Sequence, residues 1–536
     1  MPKRIVMLSG RICSGKSTLG RMLAGRYGAA MFRSREEIQR LHPGVVPDRS
    51  GLQVAGDELD IETVGGWVVA GVQRREYPDD ALIVVDSVRI ASQIEAFRNA
   101  YGQAVTHVHI TAPLETIRRR YAERPRGPNE PDTYDEAAMN PTERDVELLG
   151  DICDVLIDTT RNTEEDVLVR AAARIGMYQR LDGAHVDVII GAQWGSEGKG
   201  HMAAFLAREY DYLVRVGGPN AGHKVIKPEF TYRLLPSGTL HNSAAKLLIG
   251  PGATLDVELL QDEIQRCDVG VDRLFIDPHA MVIEKSDLEY EQGTLASIAS
   301  TKKGGGYAAA RRLMRGGLEG APNVRLARDV EALKPYVHPI VDKLDAAYRA
   351  GARIFVEGTQ GTGLSLFHGP YPYVTSRDTT VAGTLAECGI APARVRRVIM
   401  VARTYPIRVA NPKDGSGTSG PMSLEISWDE IARRSGLDAE ELKAHEHTSV
   451  SKQLRRVGEF DWALFRKACS LNGPTDIALT FADYICKKNM DARRFEQLSE
   501  ETLRFIEEVE RVAGAPVSLI GTRFHERSII DRRTWS

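Results

Sequence analysis

The sequence predicts an α/β protein made of two separate nucleotide-binding domains, and three observations support this. The chain has 536 residues, which is more than one hydrophobic core usually organises. Two apolar, strand-like runs, Arg4–Leu8 and Val186–Ile190, each lead directly into a glycine-rich loop, as in the common phosphate-binding unit of α/β folds. Between the two loops, strand-like and helix-like segments alternate, which favours a parallel sheet covered by helices.

The composition is that of a cytoplasmic enzyme acting on small molecules. Hydrophobic residues make up 42% of the chain and charged residues 27%, and the formal net charge is −3, which argues against a protein that coats nucleic acid or an anionic membrane. The six cysteines contain no C-x-x-C pair, so we expect free thiols in a reducing compartment. No run approaches the ~18 apolar residues that span a bilayer. We therefore expect no membrane and no nucleic-acid partner.

The elements of the first domain follow from its apolar runs. Strands are predicted at Arg4–Leu8, Ala81–Val85, Val105–Ile110 and Val155–Asp158, and a helix at Glu164–Met177. The polar stretch 179–184 is then predicted to be a linker. We therefore place the first domain at residues 1–178 and the second at 185–536, with a boundary near residue 180.

The first glycine-rich loop matches the phosphate-loop pattern G-x-x-x-x-G-K-[ST]. Gly10 and Gly15 let the backbone wrap around the phosphates, so that its N–H groups point at negative charge. Lys16 is predicted to reach the outer phosphates and Ser17 to hold Mg²⁺, with Thr18 beside them. The loop therefore predicts a nucleoside triphosphate site.

The rest of this domain resembles the nucleoside monophosphate and dephospho-CoA kinases. Asp86 ends an apolar strand, where such kinases place a carboxylate near the metal. Arginines that neutralise the transferring phosphoryl group, or hold the acceptor's phosphate, are expected among Arg33, Arg35, Arg118, Arg120, Arg124 and Arg126. Each arginine is equally well explained as a surface charge, and Trp67 either lines an acceptor pocket or belongs to the core. A regulatory or degenerate nucleotide-binding domain is the alternative.

The second domain carries six motifs in a fixed order. They are Gly191–Gly200, Gly217–His223, Leu235–Gly238, Ser300–Gly304, Glu357–Thr362 and Tyr371–Ser376. The first reads G-A-Q-W-G-S-E-G-K-G, and the others include G-G-P-N-A-G-H, L-P-S-G and E-G-T-Q-G-T. Together they resemble the motifs of the adenylosuccinate synthetase family across residues 186–536, and the compact length resembles its archaeal and phage-type branch.

That resemblance implies a ligase reaction in two steps. A nucleoside triphosphate phosphorylates the 6-oxo group of a purine nucleoside monophosphate, and an amine, L-aspartate in the family, displaces the phosphate. His223 takes the family role of the donor to the charge that develops on O6. Lys199 and the N–H groups of the loop would cradle the phosphoryl group, with Mg²⁺ bridging.

The remaining site residues are assigned by the same resemblance. The residues assigned to catalysis are Ser196, Lys199, His223 and Gln360. The monophosphate is held by Asn220, Ala221, Gly222, Thr301, Arg311, Gln360 and Thr375, and the triphosphate by Gly195, Glu197, Gly198, Lys199, Gly200, Asp483 and Thr522. Ser451, Gln453 and Arg455 hold the aspartate, and Ser196, Gly222 and, in the first domain, Ser17 serve the metal. One of Arg311 and Arg312 is expected to reach the neighbouring subunit's nucleotide, since the family works as a homodimer.

The serine at position 196 is the main departure from the family pattern. The family has an aspartate there, which removes the N1 proton and ligates Mg²⁺, whereas a serine hydroxyl is uncharged and a very poor base. A guanine base carries a 2-amino group beside N1, and the smaller serine leaves room for it and can accept its hydrogen bond. Phage-type members that act on dGMP show the same change. The sequence therefore favours dGMP as substrate, with loss of activity as the alternative.

Two further departures concern the amine and the phosphoryl donor. Gln453 stands where the family has an arginine, which weakens one carboxylate contact and relaxes the preference for ribose over deoxyribose. The family's guanine pocket, T-K-x-D and S-T-G-P, reads Thr480–Asp483 and Gly521–Phe524 here. Asp483 can still form hydrogen bonds with the edge of a guanine base, but phage-type members are thought to use adenine nucleotides. ATP, dATP and GTP are therefore all candidate donors.

The leading hypothesis is an enzyme that joins dGMP to L-aspartate, giving 2-amino-deoxyadenylosuccinate, with an attached kinase-like domain. The alternatives are an ordinary adenylosuccinate synthetase using IMP and GTP, a ligase for another amine, and a catalytically silent nucleotide sensor. His445 and His447 are predicted to be surface residues, and Arg494–Val512 is predicted to be an amphipathic helix.

Overall fold

The computed structural model describes residues 3–46, 48–125, 130–139, 143, 145–177, 185–294, 298–315, 323–412, 415, 417–447, 453–525 and 527–533. The chain divides into two compact units, residues 1–180 and 181–536. Each unit contains a mainly parallel sheet with helices, which confirms the predicted α/β class. The predicted linker at 179–184 lies outside the described residues.

The first unit is built on five strands. They are β1 (Arg4–Ser9), β2 (Ala30–Phe32), β3 (Leu82–Val85), β4 (Val105–Thr111) and β5 (Val155–Asp158). All are parallel, in the order β2-β3-β1-β4-β5. The helices are α1 (Lys16–Tyr27), α2 (Ser34–Leu41), α3 (Arg49–Thr63), α4 (Gly66–Arg74), α5 (Ala91–Tyr101), α6 (Leu114–Glu123), α7 (Tyr134–Ala137) and α8 (Glu164–Arg174).

The central strand of this sheet is apolar on both faces. Ile5 and Met7 belong to one buried cluster, whereas Val6 and Leu8 belong to another, because successive side chains of a strand point to opposite faces. Helices α3, α4 and α5 cover the first cluster, and α1 and α8 cover the second. A continuous apolar strand is therefore what a parallel sheet covered on both faces requires.

The second unit is built on a sheet of nine strands. In sheet order they are β12 (Leu274–Ile276), β10 (Lys246–Ile249), β7 (Tyr212–Arg215), β14 (Ile354–Glu357), β6 (Val186–Gly191), β15 (Val395–Arg403), β19 (Asp476–Thr480), β20 (Val517–Gly521) and β21 (Ile529–Asp531). Neighbouring strands are parallel except for the antiparallel pair β20 and β21.

Smaller sheets and ten helices complete the described part of this unit. The short strands are β8 (His223–Ile226), β9 (Glu229–Tyr232), β11 (Thr254–Leu255), β13 (Met281–Val282), β16 (Ile407–Arg408), β17 (Glu425–Ile426) and β18 (Arg456–Gly458). The helices are α9 (Lys199–Leu206), α10 (Val257–Arg266), α11 (Lys285–Thr294), α12 (Gly305–Leu313), α13 (Ile340–Arg349), α14 (Val381–Cys388), α15 (Trp428–Ser435), α16 (Ala439–His445), α17 (Trp462–Asn472) and α18 (Glu500–Ala513).

The topology gathers the motif loops at one edge of the large sheet. Strand β6 lies between β14 and β15, and all three run parallel. The loops that follow them therefore leave from the same edge, the carboxyl ends, where α/β folds bind their ligands. The glycine-rich segments 191–200 and 358–363 meet there, since a Cβ atom at Gly361 would lie 2.5 Å from the carbonyl oxygen of Gln193.

Most predicted elements are confirmed with small shifts at their ends, but one helix begins later than predicted. The helix predicted from Arg494 starts at Glu500, because Ser499 accepts a hydrogen bond from the backbone N–H of Thr502 at 3.3 Å and caps it. The preceding Phe495–Gln497 form a short 3₁₀ turn. Helix α8 ends at Arg174 rather than at Met177.

Other predictions concern single residue types. The six cysteines all lie among the described residues and are free thiols. His445 and His447 are exposed, which confirms the prediction of surface histidines. Within the described ranges, the helices include none whose length and apolar character would let it cross a bilayer.

Candidate active site

The glycine-rich loop of the second unit lies between β6 and α9. Gly195 and Gly198 have φ angles of 97° and 87°, a conformation that favours glycine. Gly198 directly precedes Lys199, the first residue of α9. The loop therefore presents N–H groups at the amino end of a helix, which is a favourable place for phosphate.

Helix α9 lies directly against the start of β8. A Cβ atom at Gly200 would lie 2.6 Å from the Cβ atom of His223, closer than side chains pack. Glycine at position 200 therefore allows His223 to lie against the phosphate loop. The structure thus brings together the loop and the predicted catalytic histidine, which are separate motifs in the sequence.

The two charged residues of this loop pair with each other. Lys199 Nζ lies 2.8 Å from Glu197 Oε2 and 3.1 Å from the carbonyl oxygen of Gly195, and both charged side chains are buried. Glu197 Oε1 accepts hydrogen bonds from the backbone N–H groups of Gln193 at 3.1 Å and Gly195 at 2.7 Å. A phosphate bound by the loop would compete with Glu197 for these donors.

His223 belongs to a buried polar cluster at the carboxyl ends of β7 and β14. Its Nδ1 contacts Glu357 Oε1, and Arg215 Nη1 lies 3.0 Å from the same oxygen. The backbone N–H of Ser237 donates to Glu357 Oε2 at 2.7 Å. Arg215 also donates to the carbonyl oxygen of Ala221 at 3.2 Å, so it fixes the segment that leads into His223.

Burial and charge set the protonation of this cluster. Burial and the Arg215 guanidinium lower the pKa of His223 to about 4, so the ring is neutral at pH 7. Burial alone would raise the pKa of Glu357, but Arg215 and His223 lower it to about 2 and keep it ionised. The carboxylate therefore holds the ring proton on Nδ1. Nε2 is left buried with no partner among the described residues, as expected for an atom that meets a ligand.

Two predicted monophosphate residues meet directly. Gln360 Nε2 donates to Thr375 Oγ1 at 2.7 Å. Gln360 has a φ angle of 62°, and its Oε1 is buried without a partner among the described residues. A Cβ atom at Gly195 would lie 3.1 Å from Gln360 Cα. Gln360 and Thr375 therefore lie beside the phosphate loop, with a free acceptor on Gln360.

The other predicted monophosphate residues differ in exposure. Ala221 is buried and Asn220 is half-buried, whereas Gly222 and Thr301 are exposed. Arg215 donates to the carbonyl oxygen of Ala221, so the neighbouring residues Asn220 and Gly222 lie close to the His223 cluster. This position agrees with a role in contacting a ligand.

Arg311 is placed in a buried ion pair. Its Nε and Nη2 lie 2.7 and 2.6 Å from the two carboxylate oxygens of Asp287, so a direct nucleotide contact would have to break a bidentate pair. Arg312 is exposed and donates to the carbonyl oxygen of Pro251 at 2.9 Å. Of these two arginines, Arg311 is buried and Arg312 is exposed.

Ser196 is exposed within the loop, and its backbone is held by Arg403, the last residue of β15. Arg403 Nη1 donates to the carbonyl oxygen of Ser196 at 3.4 Å. Gln193 exchanges two hydrogen bonds of 3.0 Å with the backbone of Arg403. Residue 196 therefore has a defined position, and it offers a neutral hydroxyl there.

The predicted triphosphate residues Asp483 and Thr522 are neighbours. The backbone N–H of Asp483 donates to the carbonyl oxygen of Thr522 at 3.0 Å. Asp483 is buried, and burial raises its pKa to about 7. Thr480, three residues earlier, donates its hydroxyl to the carbonyl oxygen of Glu197 at 2.7 Å. This turn is therefore joined to the phosphate loop.

One carboxylate connects the predicted aspartate site to the phosphate loop. Glu446 is buried; Arg403 contacts its Oε1, and Arg455 Nη1 lies 3.4 Å from its Oε2. Tyr484 donates its hydroxyl to Oε1 at 2.6 Å. Because Arg403 also donates to the carbonyl oxygen of Ser196, the network links Arg455 of the predicted aspartate site to residue 196. Gln453 is half-buried, and Ser451 lies outside the described residues.

The oxygen atoms at the predicted metal positions suit Mg²⁺. Ser196 and Gly222 are exposed and offer a hydroxyl and a carbonyl oxygen. Mg²⁺ prefers oxygen ligands and commonly takes only one or two from the protein, with phosphates and water supplying the rest. In the first unit, the exposed Ser17 lines the same cleft as Asp86. The residues present therefore fit phosphate-bound Mg²⁺ in both units.

A cleft of about 780 Å³ surrounds the phosphate loop of the first unit. Gly10 and Gly15 have φ angles of 132° and 114°, and a Cβ atom at Gly10 would lie 2.1 Å from the carbonyl oxygen of Ile110. Lys16 Nζ donates to the carbonyl oxygen of Arg11 at 2.8 Å. Burial lowers the pKa of Lys16 to about 8. The residues of this segment that line the cleft are Ile12, Cys13, Ser14, Gly15, Lys16, Ser17 and Thr18.

Three of the six arginines considered for this unit line the cleft, namely Arg35, Arg120 and Arg124. Arg120 Nη1 donates to Thr159 Oγ1 at 2.8 Å, and Arg124 Nη2 donates to Glu130 Oε2 at 2.6 Å. Both side chains are therefore anchored at the cleft, as expected for groups that meet phosphate.

Two other arginines lie on the surface. Arg118 pairs with Asp135 at 2.9 Å, and Arg33 pairs with Glu36 at 3.1 Å. Neither arginine lines the cleft, which favours the surface-charge interpretation for both. Arg126 lies outside the described residues.

Asp86 and Trp67 also line the cleft, and Asp86 is close enough to Lys16 for their charges to interact. Asp86 Oδ1 accepts the backbone N–H of Ser34 at 3.0 Å, and burial raises its pKa. Trp67 is buried and donates Nε1 to Asp60 Oδ1 at 2.6 Å. Gln93 donates Nε2 to the same oxygen at 2.8 Å. Trp67 is thus a core residue that also forms part of the cleft wall.

Sequence reasoning missed three residues that organise the second unit's site. Arg215 and Arg403 each end an apolar strand, and a charged residue at the carboxyl end of such a strand is a signal that could have been used. Glu446 gave no such signal, because it lies between two exposed histidines and its partners are far away in the sequence.

Comparison with known families matches the adenylosuccinate synthetase model over residues 188–328 and 323–490. The adenylosuccinate synthetase of Methanocaldococcus jannaschii is 37% identical over 356 residues, which is 65% of this chain and 96% of that protein. The adenylosuccinate synthetase of Pyrococcus horikoshii is 36% identical over 356 residues, with coverages of 65% and 98%.

Two solved structures resemble the chain over similar lengths. The succinoaminodeoxyadenylate synthetase of cyanophage S-2L, bound to dGMP and to dATP as an energy donor, has a TM-score of 0.55 and 28% identity, and the match covers 66% of this chain and 97% of that one. The adenylosuccinate synthetase of Plasmodium falciparum has a TM-score of 0.54 and 21% identity, with coverages of 65% and 100%. The second likeness concerns the fold alone.

Proposed function

This chain belongs to the adenylosuccinate synthetase family, and we propose that its second unit joins dGMP to L-aspartate to give 2-amino-deoxyadenylosuccinate. The observation that carries the proposal is the serine at position 196, whose backbone is held by Arg403 at the phosphate loop, in the same unit as Lys199, His223 and Gln360. The cyanophage enzyme that resembles this chain was solved with dGMP, which supports the choice of substrate.

The proposed reaction uses the groups that the fold brings together. The γ-phosphoryl group of the donor moves to O6 of guanine, forming an O6–P bond and releasing a nucleoside diphosphate, while N1 releases its proton to solvent. The amine of aspartate then attacks C6, the C6–O6 bond breaks with release of inorganic phosphate, and the amine loses a proton. Lys199 and the loop N–H groups stabilise the transferring group.

His223 is the proposed donor to O6. Its Nε2 is buried with no hydrogen-bond partner among the described residues, and Glu357 contacts Nδ1 on the opposite side of the ring. As negative charge grows on O6, Nε2 takes up a proton from solvent and donates a hydrogen bond to O6, and the ionised Glu357 stabilises the imidazolium that results. Arg215 and Ser237 position Glu357 and therefore act through it.

Position 196 is proposed to distinguish guanine from hypoxanthine. A carboxylate there would crowd the 2-amino group of guanine, whereas the hydroxyl of Ser196 leaves space and can accept one of its N–H groups. Ser196 is too weak a base to take the N1 proton, so its role is to orient the base. When bound, Mg²⁺ would neutralise phosphate charge, held by Ser196 and Gly222 oxygens together with the phosphates.

The amine and the assembly are proposed from the family. Arg455, which contacts Glu446, is the arginine proposed to bind the α- or β-carboxylate of aspartate. Gln453 offers an amide where the family has a charge, in agreement with a deoxyribose substrate. A homodimer is proposed, with Arg312 reaching the neighbouring subunit's nucleotide.

The test is aspartate-dependent phosphate release with ATP and Mg²⁺, comparing dGMP, GMP and IMP. We expect dGMP to be preferred, and Ser196→Asp to shift the dGMP to IMP ratio of kcat/KM towards IMP by about 10²-fold. Ser196→Ala is the matched control, since it keeps the space but removes the hydroxyl. Preference for IMP in the unmodified protein would contradict the proposal and return the chain to ordinary adenylate synthesis.

A second activity, phosphoryl transfer by the first unit, is proposed from its cleft. The phosphate loop, Asp86 and the anchored Arg120 and Arg124 line one cleft, which extends beyond the loop to Trp67 and Asp60. Such a cleft can hold a triphosphate and an acceptor side by side. We expect ADP formation that depends on an added nucleoside monophosphate and is lost in Lys16→Ala. Nucleotide binding without any acceptor-dependent turnover would instead indicate a sensor.

A further inference from the structure

Asp483 lies in the turn after β19, next to the phosphate loop of the second unit. Thr480 of the same turn donates to the carbonyl oxygen of Glu197 in the loop, and the backbone N–H of Asp483 donates to Thr522. A Cβ atom at Gly198 would lie 3.7 Å from the ring of Phe481. A triphosphate whose phosphates occupy the loop therefore has its base within reach of this turn.

Asp483 is buried without a counter-charge of its own. Arg403 is the cation that faces it, but that guanidinium contacts the carboxylate of Glu446. Tyr484 donates its hydroxyl to Glu446 as well. Glu446 itself repels a charge on Asp483, and Asp483 Oδ1 has no partner among the described residues. Burial and the charge of Glu446 favour the neutral form of this carboxyl group, whereas Arg403 and the backbone N–H groups of Asp483 and Tyr484 favour the charged form, and the pKa rises to about 7.

We propose that Asp483 is a neutral carboxylic acid when the phosphoryl donor binds, and that it thereby selects adenine over guanine. A neutral carboxyl group offers one O–H donor beside one C=O acceptor. The Watson–Crick edge of adenine is complementary, with N1 as an acceptor and the 6-amino group as a donor. Guanine presents two donors, N1–H and the 2-amino group, which suit the two acceptor oxygens of an ionised carboxylate.

This inference deepens the proposed ligase function and rests on it, because it concerns the donor of that reaction. It reverses the simple interpretation of an aspartate as a guanine reader. A carboxylic acid kept neutral by its surroundings can donate a hydrogen bond at neutral pH. The flat ring of Phe481, with Arg403 Cζ 3.8 Å from its centroid, supplies a rigid wall beside the base.

The experiment measures kcat/KM for ATP and for GTP, with dGMP and L-aspartate, between pH 6 and pH 8.5. The full chain carries Lys16→Ala, so that the first unit's loop does not consume either nucleotide. The pKa of Asp483 is about 7, so the neutral form is lost as the pH rises through that value. We expect the ATP to GTP ratio to fall about tenfold between pH 6 and pH 8.

The key variant is Asp483→Asn, because an amide also offers one donor and one acceptor but does not titrate. Its ATP to GTP ratio should stay high and independent of pH. The matched control is Asp491→Asn, an exposed aspartate a short distance along the chain, which should keep the wild-type profile. If Asp483→Asn turns over too slowly, equilibrium binding of ATP and GTP without aspartate gives the same ratio.

A wild-type ratio that does not change with pH, or an Asp483→Asn protein that prefers GTP, would overturn the inference. The failure of the proposed function is a different result, namely no aspartate-dependent phosphate release with any donor at any pH. If phosphate is released with both donors and Asp483→Asn has the wild-type ATP to GTP ratio, the ligase function stands, but Asp483 does not select the base of the donor.

Discussion

The two phosphate loops of this chain share glycines and a lysine but treat the lysine differently. Lys16 of the first unit donates to backbone carbonyl oxygens of its own loop. Lys199 of the second unit is paired with a carboxylate of its own loop, Glu197, in a buried ion pair. The comparison indicates that the second loop must exchange an internal anion for a phosphate, whereas the first loop needs only to release neutral acceptors.

The largest expected effect comes from removing each lysine in turn. Lys199→Met should lower aspartate-dependent phosphate release by about 10³-fold, because the transferring phosphoryl group loses its cation. Lys16→Met should abolish acceptor-dependent ADP formation and leave the ligase reaction in place. Measuring both reactions in both variants checks the comparison. Loss of the ligase reaction in Lys16→Met would show that the two loops do not act separately.

A smaller effect is expected from the group that supports His223. Glu357→Gln should lower kcat of the ligase by about 10²-fold, since the imidazolium loses its counter-charge. Because positioning alone would change kcat equally at every pH, the pH profile is the deciding measurement. The activity of the variant should fall more steeply than that of the wild type as the pH rises. A uniform loss across the pH range would assign Glu357 a purely structural role.

The buried ion pair between Lys199 and Glu197 should contribute to the stability of the protein. Glu197→Gln leaves Lys199 buried without a counter-charge, which should lower the free energy of unfolding by about 3–5 kcal/mol. A bound triphosphate replaces the missing anion, so saturating nucleotide should recover most of this loss. Denaturant unfolding with and without nucleotide measures both values. The matched control is Lys16→Met in the first unit, where the lysine contacts backbone carbonyl oxygens, and this change should alter the free energy of unfolding little.

The smallest effect concerns pH at the first loop. Burial lowers the pKa of Lys16 to about 8, so the lysine is charged below that pH and neutral above it. Nucleotide binding to the first unit should therefore weaken several-fold as the pH rises from 7 to 9. Titration of ATP in a Lys199→Met background measures this without the second site. Affinity that stays constant over this range would show that Lys16 keeps its charge.

The sequence predicted the fold well because its main signals are local. A glycine-rich loop after an apolar strand identifies both β1 and β6, and the structure places both as central strands. The start of α18 was predicted wrongly because a helical pattern continues through Arg494, whereas the cap at Ser499 decides the boundary. The pairing of Arg311 with Asp287 could not be predicted, since it joins two consecutive helices whose packing is not evident from the sequence.

The candidate site was predictable where residues belong to motifs and not where they support them. Gln360 and Thr375 were placed in one site by their motifs, and the structure shows that they touch. Arg403 and Glu446 carry no motif, and their roles depend on contacts between segments 43 residues apart. Supporting residues are thus recognised from tertiary contacts, because their own sequence surroundings are not distinctive.

The shared carboxylate of Glu446 has a consequence for how substitutions combine. Through Arg403 it is connected to the backbone carbonyl oxygen of Ser196, and its other oxygen contacts Arg455. A substitution at 196 that moves this carbonyl oxygen would therefore also disturb the partner of Arg455. Substitutions at 196 and 455 are expected to have non-additive effects on activity, whereas changes at distant exposed positions should add.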